Sequence, residues 1–233
     1  MKKEINYLLK LILCFFLFFN ISYIVAIIFS IVGIDYSNFN YQELTIMSIL
    51  SELLLFIFIL LLYKKEFRKD YIVFKLNYKD YIKKIFIYFI MFMALKIASS
   101  LISTILATIL NYNLGDSENQ ETIIKFTTSA PLLMLFNTCI LAPFVEEGIF
   151  RLSIKKVFKN KYFFILVSGL FFGLMHIFPT ELPISLALIY AISYVTMGLY
   201  LAYIYTKENN IWVTIFVHAL NNIISMIAIL ALI

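Results

Sequence analysis

Three short polar groups in the C-terminal half of the sequence hold the side chains that could do chemistry. The densest contains two adjacent carboxylates, Glu146 and Glu147, followed by Arg151. Glu147 and Arg151 are four residues apart, so on a helix they share one face and can form an ion pair. Neighbouring helical residues point about 100° apart, which turns Glu146 toward a different surface. Glu146 is therefore predicted to be available to act on another group, unless both glutamates merely end a helix beside a basic loop.

The second group is a histidine at the end of an apolar stretch that contains two glycines. Gly169 and Gly173 form a small-xxx-small pattern, which predicts the close approach of a neighbouring helix. His176 follows Gly173 by about one turn and is expected near that contact. A single histidine in such a helix is either a hydrogen-bonded packing residue or part of a site.

The third group places a second histidine beside two amides. His218 and Asn222 are four residues apart, so they can present two hydrogen-bonding groups to one point. Asn221 points about 100° away and is predicted to be a helix-packing amide. His176 and His218 are the only histidines of the chain, and both fall in apolar segments, where an imidazole is costly.

Together these groups suit peptide hydrolysis. A peptide hydrolase needs a base that activates water and donors that hold the developing oxyanion, and a dry site strengthens both. The sequence offers no serine or cysteine spaced from a base as a nucleophile, and it contains no HExxH motif. Cys14 and Cys139 lie within apolar runs and are predicted to be small buried side chains rather than a disulfide.

The composition indicates a membrane protein. Hydrophobic residues make up 63% of the chain and charged residues 14%, against roughly 45–50% and about 25% in soluble domains. A helix needs about 20 apolar residues to cross a bilayer. Candidate spans are 6–34, 44–63, 85–110, 131–154, 162–178, 182–205 and 211–232. The first has no small-residue cleavage pattern and is predicted to be retained. The predicted fold is all-α, a polytopic transmembrane helix bundle of about seven (seven to eight) helices.

The basic residues predict the orientation of this bundle. One alternate set of connections holds almost all Lys and Arg residues, including those in 64–84 and 155–161, whereas the other set holds only Lys125. Because positive loops stay on the cytoplasmic side, the N-terminus is predicted to be cytoplasmic and the C-terminus extracytoplasmic, in the plasma membrane. The segment 64–84 is expected to be an interfacial helix or a cytoplasmic loop. The net charge of +5 thus reflects topology, and no nucleic-acid partner is predicted.

One further pair of opposite charges falls inside predicted spans. Glu52 lies 12 residues before Lys64, and Lys96 lies 12 residues after Lys84, so both should reach the same depth. We predict an intramembrane ion pair between Glu52 and Lys96 that ties the second span to the third. The alternative is that one of the two lines a cavity.

In this order and spacing, the polar groups resemble the CPBP family, which includes the type II CAAX prenyl endopeptidases and the Abi or bacteriocin self-immunity proteins. The pattern of that family is EExxxR, then FxxxH, then HxxxN or HxxxD on successive membrane helices. The sequence contains all three, as Glu146-Glu147 with Arg151, Phe172 with His176, and His218 with Asn222. The resemblance covers roughly residues 131–225. Each motif is weak alone, whereas the three in order are fairly specific.

The resemblance implies a glutamate-dependent intramembrane endopeptidase that hydrolyses a membrane-associated or lipidated peptide. The implied roles are water activation (Glu146), assistance to that water or to the leaving group (His176), oxyanion binding (His218 and Asn222), orientation of the site (Glu147 and Arg151) and packing beneath His176 (Phe172). The family has often been described as metal-dependent, and one glutamate with two histidines could ligate zinc. We predict the metal-free alternative, with no cofactor. The implied partners are membrane lipids and a peptide or membrane-anchored protein substrate.

Two other classes of protein stay open as alternatives. A catalytically silent bacteriocin-immunity or scaffold protein would carry the same residues. A proton-coupled transporter also uses intramembrane carboxylates and histidines, but it would favour internal repeats, which the sequence lacks.

The predicted organisation has two parts. Residues 1–125 form N-terminal transmembrane helices with the basic segment 64–84, and residues 126–233 form a CPBP-like catalytic core. Counting along the helices puts His176 about 22 Å from Lys161 and His218 only about 12 Å from Asn210. The enzyme hypothesis therefore requires tilted or extended helices that bring the polar side chains within about 12 Å of one another.

Overall fold

A computed structural model describes residues 2–232 of the protein, and the regular elements in this range are helices. They are α1 Lys2–Ile31, α2 Tyr41–Leu62, α3 Lys64–Leu76, α4 Tyr78–Ile109, α5 Glu118–Ser129, α6 Pro131–Val157, α7 Lys161–Met175, α8 Ile184–Glu208 and α9 Ile211–Leu230. Within this range, α1, α2, α4, α6, α8 and α9 are the six helices long and apolar enough to cross a membrane. The predicted all-α polytopic bundle is confirmed.

The remaining apolar helix, α7, is shorter than the other six. Its 15 residues extend about 22 Å, whereas the hydrocarbon core of a bilayer is about 30 Å thick. The predicted span 162–178 therefore ends earlier than expected, and His176 is the residue that caps the helix. A helix of this length that starts at one membrane surface ends before it reaches the other.

Two polar helices complete the fold. The basic segment 64–84 contains α3 and the start of α4, so it is helical rather than a loop. Phe67 and Asp70 form the buried side of α3, while its lysines are exposed; its place at a membrane surface stays a prediction. Helix α5 was not predicted from the sequence; its N-cap residue is Ser117, and it joins α4 to α6.

Helix α6 contains two wider π-helical segments, Asn137–Leu141 and Gly148–Ser153. At the first, the Ala142 N–H donates to the carbonyl of Asn137, five residues back. The next residue, Pro143, has no N–H. The carbonyl of Thr138 is therefore left open to a donor from outside the helix. Beyond Arg151 the helix continues to Val157, as convergence of the polar groups requires.

Helices α7 and α8 pack antiparallel at very short range, and glycines allow it. A Cβ atom on Gly173 would overlap the backbone of Val195, and one on Gly169 would lie 2.7 Å from the Cα of Leu199. On the other side of the contact, a Cβ on Gly198 would lie 2.6 Å from the Gly169 carbonyl oxygen. The close approach predicted from the small-xxx-small pattern is confirmed.

The start of α9 is held inside the protein by α3. The Ile211 N–H donates to Asp70 Oδ2 at 3.0 Å, and Asn210 Nδ2 donates to the Asp70 carbonyl at 2.9 Å. Trp212 Nε1 donates to the carbonyl of Phe67 at 3.1 Å. Because Asn210 and Ile211 are both buried, α9 begins beneath α3 rather than at an exposed surface.

Candidate active site

The three polar groups meet at Glu146. Its Oε2 atom lies 3.8 Å from His176 Nε2 and 3.9 Å from His218 Nε2. The required distance of about 12 Å is therefore met. His176, which caps α7, and His218, within α9, both face Glu146 on α6.

The predicted ion pair between Glu147 and Arg151 is confirmed, and it is fully buried. Glu147 Oε2 lies 3.0 Å from Arg151 Nε, and both side chains are 0% exposed. The other oxygen, Glu147 Oε1, lies 3.1 Å from His218 Nδ1. A carboxylate only accepts, so Nδ1 of His218 carries the proton and donates. Arg151 thus holds Glu147, and Glu147 holds His218 with its Nε2 facing Glu146.

The ring of His176 is fixed by two contacts. Its Nδ1 donates to the carbonyl of Phe172 at 2.7 Å, which leaves Nε2 to face Glu146. The ring also stacks on Tyr194 of α8, with centroids 4.9 Å apart and an interplanar angle of 18°. The hydroxyl of Tyr194 lies 2.9 Å from Ser117 Oγ, ahead of α5. Tyr194 was not found from the sequence, because nothing in the sequence of α8 marks it out.

Phe172 forms the floor that the resemblance implied. Its ring centroid lies 4.7 Å from that of His176 and 5.6 Å from that of His218. The Arg151 guanidinium lies over the same ring at 4.8 Å. Ser168, one turn before Phe172, accepts from Arg151 Nη1 at 3.0 Å. The sequence motifs missed Ser168, although a serine one turn before Phe172 in an apolar helix is a signal that could have found it.

Asn222 lies on the same side of α9 as His218, as predicted. Its Nδ2 donates to the carbonyl of Thr138 at 2.8 Å, and its Oδ1 accepts from Asn221 Nδ2 at 3.0 Å. One N–H of the Asn222 amide is left for another acceptor. The role of Asn222 in binding an oxyanion stays a prediction.

A cavity of ≈750 Å³ adjoins this group and extends toward α2, α4 and α5. Glu146, His176, His218 and Asn222 line one part of it, with further charged side chains at Glu52, Lys96 and Asp116. A volume of this size falls in the range of small-molecule and peptide side-chain sites. The cavity gives the reactive groups a space in which a substrate can lie.

The predicted ion pair between Glu52 and Lys96 is wrong. Lys96 Nζ instead donates to Asn221 Oδ1 at 3.0 Å and to Ser225 Oγ at 3.1 Å. Helix α4 packs on α8 and α9, whereas α2 packs on α1, α5 and α6, so equal depth does not make them neighbours. Both charged side chains line the cavity. The alternative to the ion pair was that one of the two would do so.

Exchanging these two charges tests the correction. Lys96→Glu should lower the yield of folded protein, because it places a carboxylate beside the acceptor oxygen of Asn221. Adding Glu52→Lys should not restore that yield, since the two side chains are not in contact. Membrane expression and the thermal unfolding midpoint of both variants check this. Recovery in the double variant would instead indicate direct pairing.

The other sequence-derived expectations concern cysteines and zinc. Cys14 and Cys139 are both free, and Cys14 is buried, as predicted. Tetrahedral zinc holds its nitrogen and oxygen ligands roughly 3.3 Å apart, whereas both distances from Glu146 are longer. Among residues 2–232, no group of three His, Cys, Asp or Glu side chains is arranged to hold a metal ion. The metal-free alternative stays a prediction.

Comparison with known proteins finds matches that include the three polar groups. Residues 128–224 match the family model described as "Type II CAAX prenyl endopeptidase Rce1-like". A Bacillus subtilis protein named "Putative membrane peptidase YdiL" is 32% identical over 110 residues, which are 46% of this chain and 41% of that protein. The "UPF0177 protein YvdC" of Lactococcus lactis is 32% identical over 141 residues, 60% of this chain and 51% of that protein. No solved structure matches.

These findings concern mainly the C-terminal region. The match of residues 128–224 to the Rce1-like family model is consistent with the CPBP family that the motifs resemble. The chain spans about half the length, or less, of the curated relatives it matches. With six apolar helices long enough to cross a bilayer in its described part, it is a multi-pass membrane protein. The boundary between residues 125 and 126 stays a prediction.

Proposed function

We propose that this protein is an intramembrane endopeptidase in which Glu146 activates a water molecule. One observation carries the proposal. Glu146 Oε2 is buried and has no hydrogen-bond partner among the described residues, yet it faces two imidazole nitrogens at 3.8 and 3.9 Å. Buried polar atoms are nearly always satisfied, and polar contacts longer than 3.5 Å are often bridged by water. A water held by these three atoms would lie against a carboxylate that can take its proton.

In the proposed reaction, the water oxygen attacks the peptide carbonyl carbon while its proton passes to Glu146. The carbonyl oxygen becomes an oxyanion, which accepts hydrogen bonds from His218 Nε2–H and from the free N–H of Asn222. The C–N bond then breaks, and the proton held by Glu146 goes to the leaving nitrogen with help from His176. The products are a carboxylic acid and an amine, so atoms and charge balance.

The buried ion pair between Glu147 and Arg151 supports the proposed role of His218 as a hydrogen-bond donor to the oxyanion. For His218 to donate from Nε2 while Nδ1 also donates, its ring must be in the imidazolium form. The Glu147 carboxylate 3.1 Å from Nδ1 stabilises that positive charge, and Arg151 Nε pairs with the other oxygen of Glu147 at 3.0 Å. Removing a single oxyanion donor costs about 10²- to 10³-fold in rate in other hydrolases, so this arrangement can contribute substantially to catalysis.

The substrate class follows from the family and from the location of the site. The name of the family model refers to prenyl endopeptidases, and one relative is named a membrane peptidase. A site built on membrane helices suits a membrane-associated or lipidated peptide. We also propose that the reaction needs no metal and that the N-terminus lies in the cytoplasm with the basic connections.

Hydrolysis can be tested in H₂¹⁸O with the full chain in liposomes and membrane-anchored peptides as substrates. We expect one ¹⁸O atom in each new carboxyl group, no loss of rate with a zinc chelator, and no cleavage by His218→Ala. Thr108→Ala, at an exposed position of α4, is the control that should cleave normally. Cleavage that survives in His218→Ala would contradict the mechanism. A wild-type chain without cleavage would indicate a silent immunity or scaffold protein, and proton flux without cleavage would indicate a transporter.

A further inference from the structure

We propose that Lys96 and Asn221 form a positioning relay that fixes the orientation of Asn222. The relay is a continuous chain of hydrogen bonds between three helices. Lys96 Nζ on α4 donates to Asn221 Oδ1 at 3.0 Å, Asn221 Nδ2 donates to Asn222 Oδ1 at 3.0 Å, and Asn222 Nδ2 donates to the Thr138 carbonyl on α6 at 2.8 Å. The consequence for catalysis rests on the proposed function, because it assumes that Asn222 binds the oxyanion.

The groups at the two ends of the relay, the Lys96 ammonium and the Thr138 carbonyl, allow each amide only one orientation. An ammonium group can only donate, and a carbonyl oxygen can only accept. If Asn221 were flipped, its NH₂ would face the Lys96 ammonium. If Asn222 were flipped, its oxygen would face the Thr138 carbonyl. Asn222 is therefore held with its NH₂ toward α6, and its second N–H is available to an acceptor in the cavity that it lines.

The accepting end of the relay depends on the irregular backbone of α6. In a regular α-helix the Thr138 carbonyl would accept from the N–H of Ala142. That N–H donates instead to Asn137, and Pro143 supplies no N–H of its own. The Thr138 carbonyl is thus open, and the Asn222 side chain uses it. The π-helical turn and the proline together create the acceptor.

The donor of the relay is a cation inside a membrane-crossing helix, where burying a charge is unfavourable in free energy. Lys96 lies in the interior of the membrane-crossing helix α4, and an intramembrane charge normally has a functional reason. No carboxylate of the described residues lies within ion-pair distance of it, and its two bonded acceptors are Asn221 and Ser225 on α9. Hydrogen bonds from a charged donor are roughly twice as strong as neutral ones. Lys96 therefore fixes an amide rather than neutralising a carboxylate.

Loss of the relay should reduce turnover more than substrate binding. Lys96→Met keeps the length of the side chain but removes the donor, so the Asn221 and Asn222 amides can rotate. We expect kcat to fall by about 10- to 100-fold, less than for complete loss of an oxyanion donor, with KM changed by less than about threefold. Lys96→Arg still donates and should recover part of kcat. A lysine that bound the substrate directly would raise KM instead.

The test is a double-mutant cycle on kcat between Lys96→Met and Asn222→Ala in the full-length chain. If Lys96 acts through Asn222, Lys96→Met should have little further effect once Asn222 is alanine. Thr108→Ala is the control, because it removes an exposed hydrogen bond on α4 that is outside the relay. Additive losses, a change mainly in KM, or an unchanged kcat in Lys96→Met would overturn the proposal.

A second readout separates this proposal from the proposed function. Cleavage by the wild type and by Thr108→Ala, but not by Glu146→Gln, establishes the function, and the kcat cycle then decides on the relay. If the wild type does not cleave, the function fails, and the same cycle is measured on the thermal unfolding midpoint. Coupling between Lys96 and Asn222 in that midpoint supports the relay as a structural unit. Additivity there overturns it.

Discussion

Replacing Glu146 with glutamine should lower the rate of peptide cleavage by about 10²- to 10⁴-fold, the usual contribution of a general base. Glutamine has nearly the same size, but it cannot take a proton from water. The change should leave stability intact, because Glu146 makes no hydrogen bond within the described residues and both histidine nitrogens lie beyond hydrogen-bond distance. The rate of product formation in liposomes and the unfolding midpoint in detergent measure the two effects separately.

The chain contains a matched control for this substitution. Glu52 lies on α2 and lines the same cavity, whereas the described carboxylates within 4 Å of the two histidines are Glu146 and Glu147. Glu52→Gln removes one carboxylate from the cavity by the same chemical change, and most of the activity should survive. Equal losses in the two variants would show that the general charge of the cavity matters, and they would count against Glu146 as a specific base.

Arg151→Met should destabilise the protein by about 3–5 kcal/mol, the usual cost of removing one partner from a buried ion pair. Glu147 is 0% exposed, so without the guanidinium its charge would be buried without the arginine that pairs with it. Much of the variant should fail to fold, and the remainder should unfold at a lower temperature. Lys125→Met is a matched control, because it breaks an i,i+4 pair with Glu121 that is half exposed. Such exposed pairs contribute only about 0–1 kcal/mol.

The double variant Glu147→Gln with Arg151→Met separates folding from catalysis. Removing both charges avoids an unpaired buried carboxylate, so most of the lost stability should return. Cleavage should not return, since His218 Nδ1 would then face a neutral amide that does not stabilise an imidazolium. A double variant as unstable as Arg151→Met alone would show that packing of the arginine over Phe172, rather than charge balance, dominates.

Much of the site could be predicted from the sequence, because its main contacts are local or follow from helical spacing. The pairing of Glu147 with Arg151 is an i,i+4 contact, and the different direction of Glu146 follows from the angle between successive residues. The close packing of α7 on α8 follows from the positions of two glycines. These inferences need only the geometry of one helix or the size of one side chain, and the structure agrees with them.

The rest could not be predicted, because it depends on which helices are neighbours. Glu52 and Lys96 have the same calculated depth, but α4 packs on α9, so the Lys96 ammonium meets Asn221 instead. The hydrogen bond from the start of α9 to Asp70 of α3 was likewise not predictable, because it joins residues that are far apart in the sequence. Depth along a helix can be counted from the sequence, whereas the neighbours of that helix cannot.

The proline in α6 affects how natural variants of this protein should be interpreted. Pro143 has no ionisable or hydrogen-bonding side chain, so a survey of catalytic groups would not count it as a functional residue. Replacement by alanine would nevertheless restore an N–H to the wide turn, and that N–H would compete with Asn222 for the carbonyls of the turn. A substitution between two apolar residues on α6 would then alter the orientation of the Asn222 amide on α9. Inherited changes at this position could therefore impair the protein while every residue of the three polar motifs is intact.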